Sequence, residues 1–190
     1  MPASSRREFI KAALACALAV AYARPSLAED EPITLQRAEI VTRGEGYFLL
    51  GGYDIRLTKA MEEALERGVP LHFVQLFQTD RPRDFWLSEE IADRRRILRL
   101  SHNALLRNYQ LSSGGVLRTF DTLPQALAVL GSLDDWQVFD KKAVNRKYLY
   151  QVRIRMYLDT SMLPKPLQIN AFTSNRWDLD SDWREWSFKP

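Results

Sequence analysis

Seven residues limit the fold of this chain more than any others: Leu71-His72-Phe73-Val74-Gln75-Leu76-Phe77 is apolar at both odd and even positions. A strand with two apolar faces must be covered on both sides, which predicts a central strand. The run follows Gly68-Val69-Pro70 and opens the stretch Gly68 to Leu117 that reads as the centre of the protein. That stretch continues through Arg94-Arg95-Arg96-Ile97-Leu98-Arg99-Leu100-Ser101-His102-Asn103 and Leu105 to Leu111, then closes on Ser112-Ser113-Gly114-Gly115. The glycine pair predicts a hairpin turn. Arg94, Arg95 and Arg96 face alternate sides of a strand, so they form no single patch and read as a charged guard on a sheet edge.

Strands dominate elsewhere. Tyr47, Leu49, Gly51, Tyr53, Ile55 and Leu57 alternate with Phe48, Leu50, Gly52, Asp54 and Arg56. With Ile33–Thr42 and the break Arg43-Gly44-Glu45-Gly46, this predicts a hairpin, and Gly51-Gly52 predicts a bulge or the close approach of another segment. The cleanest alternation is Tyr148, Tyr150, Val152, Ile154, Met156 and Leu158 against Gln151, Arg153, Arg155 and Asp159, a strand with one wet face. Two short helices are expected. One is capped by Thr58 and stopped by Gly68; the other starts at Thr122 and Gln125, with capping-box spacing, and stops at Gly131. Leu163-Pro164-Lys165-Pro166 reads as a break.

The first 28 residues read as an export signal. Ser5-Arg6-Arg7-Glu8-Phe9-Ile10-Lys11 resembles the twin-arginine pattern, with Ser5, Arg6, Arg7, Phe9 and Lys11 as its elements. The apolar run Ala12 to Ala23 is 12 residues long, short of the roughly 20 that span a bilayer. Ser26-Leu27-Ala28 places cleavage between Ala28 and Glu29, with Ala21-Tyr22-Ala23 as a second candidate. The alternatives are a general secretory signal that contains two arginines and, more weakly, a lipoprotein signal at Cys16. The expected partners during export are the protein translocase and signal peptidase, and the expected location is the periplasm. No later segment has membrane-spanning length.

The charge distribution excludes a nucleic-acid reading. The formal net charge is +3, from 27 Lys and Arg against 24 Asp and Glu. Four of those bases and one of those acids lie in residues 1–28, so the remainder is balanced at 23 of each and has no overall field for phosphates. Cys16 is the only cysteine, so a chain cleaved after Ala28 has no disulfide, thiolate metal site or cysteine nucleophile.

No constellation reads as catalytic, metal-ligating or cofactor-binding. His72 and His102 each share a predicted strand face with apolar residues, the setting of a packed histidine. Ser101 and His102 are adjacent on a strand and point apart, which excludes a serine triad there. Asp178, Asp180 and Asp182 resemble the start of a calcium loop, but Trp183 stands where glycine is needed and Lys189 where glutamate is. Ser112 to Gly115 lacks the helix and lysine of a phosphate loop. The remaining unusual feature is five tryptophans. Three of them, Trp177, Trp183 and Trp186, sit in the tail. If Asp182 to Phe188 is a strand, Trp183 and Trp186 face opposite ways. One can anchor the core while the other, with Trp177, offers an aromatic surface to a partner.

Several stretches carry a family resemblance: Arg99 to Leu105, Tyr109 to Gly115, Leu163 to Ala171 and Ser181 to Phe188. Together they resemble domain-of-unknown-function family 4390, exported proteins of Gram-negative bacteria. The resemblance spans nearly the whole chain after the leader. It implies export and a single domain, and it brings no activity, cofactor or catalytic residue.

The expected architecture is one mainly-β domain over residues 29–190, a two-layer antiparallel sandwich of seven to nine strands with two short helices; the alternative is an α+β arrangement. The expected function is a non-catalytic periplasmic binding or interaction module with an unknown envelope partner. The alternatives are a hydrolase of an envelope polymer, using Asp180 and Asp182 as acid and base, and a peripheral membrane-surface protein.

Overall fold

The structure, a computed structural model, describes residues 31–83 and 86–190. The export-signal residues Ser5, Arg6, Arg7, Phe9 and Lys11, and the cleavage pair Ala28 and Glu29, lie outside the described residues. Two antiparallel sheets form a sandwich. The smaller one holds β1 (Ile33–Arg43), β2 (Gly46–Ile55) and β7 (Trp136–Asp140), in the order β1-β2-β7. The larger holds β3 (Leu71–Arg83), β4 (Trp86–Asn103), β5 (Asn108–Ser113), β6 (Val116–Phe120), β8 (Tyr150–Leu158) and β9 (Arg184–Phe188), in the order β6-β5-β4-β3-β8-β9.

The doubly apolar run is indeed a central strand, since β3 lies between β4 and β8. Its inward residues Leu71, Phe73 and Phe77 are fully buried in the shared core. Phe77 meets Trp136 and Phe139 of the smaller sheet, and Phe139 meets Phe188 of β9. Its other face is covered differently from expectation. Val74 is fully buried there beside Ile97 and Tyr157, its register neighbours. Arg155 lies over Tyr157, and both Arg153 and Arg155 lie over Trp183. Long arginine stems can exclude water from apolar side chains while their heads stay wet.

Helix α1 (Lys59–Glu66) is capped as its sequence predicts: the Thr58 hydroxyl accepts from the Met61 N–H. Gly68, at φ +83°, ends it, with Val69 N–H bonding back to Ala64 O. Helix α2 (Leu123–Gly131) forms without the expected capping box, since the Thr122 side chain makes no cap bond. Pro124 in the first turn removes one N–H that such a cap would use. A third helix, α3 (Lys165–Thr173), begins where a break was expected. Proline is tolerated in a first helical turn because its missing N–H would be unpaired anyway. Leu163-Pro164-Lys165-Pro166 therefore starts a helix.

The glycines behave as read. Gly114 and Gly115, at φ +56° and +83°, make the β5–β6 turn, and two positive φ values are what a type I′ turn needs. Gly52 lies opposite a bulge in β1 between Leu35 and Arg37 and bridges to Ser132 at the end of α2, while Gly51 pairs with Ala38.

Candidate functional site

The two sheets do not match in width. The smaller sheet meets β3 and β9 through ring contacts, while α2 packs on β5, β6 and β4. Between the end of α2 and the inner face of these strands runs an open groove of about 600 Å³. Its sheet wall carries Leu98, Leu111, Val116 and Arg118, and its helix wall Ala128, Val129 and Ser132. Asp134 and Asp135 also line it.

Arg96 stands in this groove because of strand parity. On β4 it shares the inward face with Ala92, Leu98 and Leu100, all buried. Gln75, fully buried, is its register partner on β3. The Gln75 amide donates to Leu130 O at 3.1 Å, which leaves its oxygen facing the guanidinium. Arg96 Nε and Nη2 donate to that oxygen at 2.8 and 2.5 Å, and Nη2 donates also to Ser132 O at 2.6 Å. The guanidinium lies over the Trp136 ring, 4.8 Å from its centroid. Burial pushes Arg96 down from its ordinary pKa. No carboxylate among the described residues pairs with it. A half-buried cation without a counter-ion is held at a cost, only partly offset by neutral acceptors and the ring.

Arg96 is thus not a solvated guard, although this part of β4 is an edge: pairing with β5 runs only from Arg99 to Asn103, so Arg94, Arg95 and Arg96 lie where β4 is paired to β3 alone. Arg94 and Arg95 are exposed, and Arg95 pairs with Asp159 at 3.7 Å. The alternation within this trio is legible in the sequence, whereas the Gln75–Arg96 pair carries no motif of its own. The parity shared with Leu98 and Leu100, together with a glutamine inside an apolar strand, is the signal that finds it.

The tail tryptophans divide. Trp177, in a short 3-10 turn, is only 5% exposed and anchors the core. Trp186 is half-buried and packs inward on the same core. Trp183, just before β9, lies outside the larger sheet under Arg153 and Arg155, with 5.3 and 5.9 Å from guanidinium to ring. The opposite facing of Trp183 and Trp186 is the one their spacing predicts.

The aspartates between them build a turn. Asp180 accepts from Arg155 through both carboxylate oxygens and from the Asp182 N–H at 2.9 Å. This contact raises Arg155 above its ordinary pKa. Both oxygens of Asp180 are thus engaged by donors, while Asp182 contributes its backbone N–H to the turn. Among the described residues, no cluster of three His, Cys, Asp or Glu side chains could hold a metal ion.

The two histidines stay apart. His72 lies beside Arg99 in the register, and His102 stacks on Tyr109 at 4.9 Å. His72 is held below its ordinary pKa, first by burial and then by the Arg99 charge, with Asp159 opposing. Both Nδ1 atoms are buried with no hydrogen-bond partner.

A protein-family model described as "Domain of unknown function (DUF4390)" matches residues 30–187. No curated protein and no solved structure matches the chain.

Proposed function

The chain belongs to the DUF4390 family, and from that premise we propose that it is an exported, non-catalytic binding module of the periplasm whose ligand occupies the groove beside α2. The observation that carries the reading is Arg96, a half-buried guanidinium with no carboxylate partner among the described residues, in a groove lined by both apolar and charged side chains. A folded protein gains little from such a residue unless something completes it. The occupied carboxylate of Asp180 favours binding over hydrolysis of an envelope polymer. Export is supported by the twin-arginine pattern at Ser5 to Lys11 and the cleavage pair at Ala28 and Glu29. Among the described residues no helix is long and apolar enough to cross a membrane. Of the three tail tryptophans, Trp183 alone keeps a role as a partner-facing residue, because Trp177 and Trp186 pack inward.

Photocrosslinking in cells tests the reading. A photoreactive residue replacing Val116, which is 58% exposed at the groove, should capture a defined adduct in the periplasmic fraction. The same residue replacing Glu62 on α1 should not. Equal capture at both positions, or none at Val116, removes the groove as a binding site. Retention of unprocessed protein in the cytoplasm removes the export half.

A further inference from the structure

We propose that the groove takes a single-chain amphiphile with one anionic head, a carboxylate or a phosphate, seated on Arg96 with its chain along the apolar wall. This deepens the binding reading above and rests on it. The head follows from counting donors. A guanidinium carries five N–H groups, and Arg96 spends three of them, from Nε to Gln75 and from Nη2 to Gln75 and Ser132. Both N–H groups of Nη1 remain without a partner among the described residues. Gln75 is itself locked by Leu130 O, so the free end of the fork is held in one orientation before any ligand arrives. A pre-oriented guanidinium favours planar or tetrahedral oxyanions.

The chain follows from the walls. Val116, Ala128 and Val129, backed by the buried Leu98 and Leu111, give the groove an apolar strip that a bare inorganic anion would leave wet. Its volume of about 600 Å³ lies within the range usual for small-molecule sites. Arg96 is recessed beneath the end of α2, whereas a flat protein surface needs an exposed anchor. Arg118 adds a second, exposed cation with no partner among the described residues. Asp135 is neutralised by Arg43 at 2.9 Å, and Asp134 accepts from Gly51 N–H at 3.2 Å. The Asp134 charge disfavours a second anionic group, which limits the ligand to one head.

The probes are dodecanoate and dodecyl phosphate, with dodecyltrimethylammonium and acetate as controls, each below its micelle concentration. Calorimetry is run on protein purified from cells expressing the full chain. Both anionic amphiphiles should bind one to one, and the tighter of the two identifies the head. The cationic amphiphile and acetate should each bind at least about tenfold more weakly. R96Q should weaken the anionic probes by at least about tenfold. A128W fills the groove from an exposed position and should do the same, and R118Q should weaken them several-fold. If R96Q does not fold, A128W and R118Q still decide, because both replace exposed side chains. Equal affinity for anionic and cationic heads, or unchanged binding in A128W, overturns the proposal. If neither anionic amphiphile binds while Val116 still captures an adduct in cells, the ligand class is wrong and the binding module stands. Failure of both experiments removes both.

Discussion

Gly131→Ala should destabilise the protein, although helix propensity alone says the opposite. Gly131 is the last residue of α2, and alanine there gains about 1 kcal/mol of intrinsic helix preference. The added Cβ, however, would stand 2.2 Å from Tyr53 O and 3.5 Å from Ile55 Cδ1. Tyr53 O is a backbone atom of β2, which is paired there to Leu35 of β1 and tied to the end of α2 by the neighbouring Gly52–Ser132 bridge. The strand cannot yield, so α2 must move by about 1 Å or more to reach an ordinary contact distance. Overpacking of this kind costs about 1–3 kcal/mol, and an immobile backbone partner puts it near the top of that range. The net loss is therefore about 2 kcal/mol. With a urea slope of about 2 kcal/mol per molar, the unfolding midpoint should fall by about 1 M. The same displacement draws Ser132 O away from Arg96, so dodecanoate binding should weaken in parallel. A midpoint that is unchanged or raised would refute the close-approach argument, because propensity would then have prevailed over the contact.

Three other predictions follow from separate parts of the molecule. His72 binds fewer protons folded than unfolded between its depressed value and the ordinary value of about 6.5, so stability should be flat above that pH and fall as pH drops below it. Urea midpoints between pH 7.5 and 5.5 measure this, and His72→Gln should flatten the profile in that window; an equal slope in the variant assigns the effect elsewhere. Trp177→Ala should cost about 3–5 kcal/mol, whereas Trp183→Ala, losing two cation–π contacts at the surface, should cost about 1–2 kcal/mol. Equal losses in thermal or urea unfolding would contradict the division of the tail into anchor and outer ring. Replacing Arg6 and Arg7 together by Lys should leave unprocessed precursor in the cytoplasm, because a receptor for the pair reads guanidinium geometry as well as charge; normal processing in a strain lacking the twin-arginine translocase points to the general secretory route.

Much of the scaffold was legible because its signals are local. The alternation from Tyr148 to Leu158 predicts β8 and its wet face, and the Gly114-Gly115 pair predicts the β5–β6 turn. The helix starting at Lys165 is hidden because the prolines that suit its first turn also read as a terminator. The groove was illegible for a different reason. Arg96 looks like its neighbours Arg94 and Arg95, and only the pairing of β4 with β3 sets it opposite Gln75. The acceptors that complete its surroundings, Leu130 O and Ser132 O, are backbone atoms of a helix end 36 residues from Arg96 in the Ser132 case. Backbone acceptors carry no residue signature, so no composition or motif could have marked them.

The dimensions of the elements explain why an opening remains at that place. Strands lie about 4.8 Å apart, so the three-stranded sheet falls short of the six-stranded one by about 14 Å. One helix with its side chains is about 10–12 Å thick, close to the missing width, and α2 occupies it. Its nine residues, however, extend only about 13 Å along their axis. The six residues of β5 beneath it run about 20 Å. A helix of that length covers less than the full run of β5, and the groove lined by Ser113, Val116 and Arg118 opens beside it. At the end of α2 the close approach of Gly131 to Tyr53 O sets Ser132 O where Arg96 Nη2 reaches it. The contact that seats the helix end on β2 thus also holds Gln75 and the Arg96 fork in one orientation.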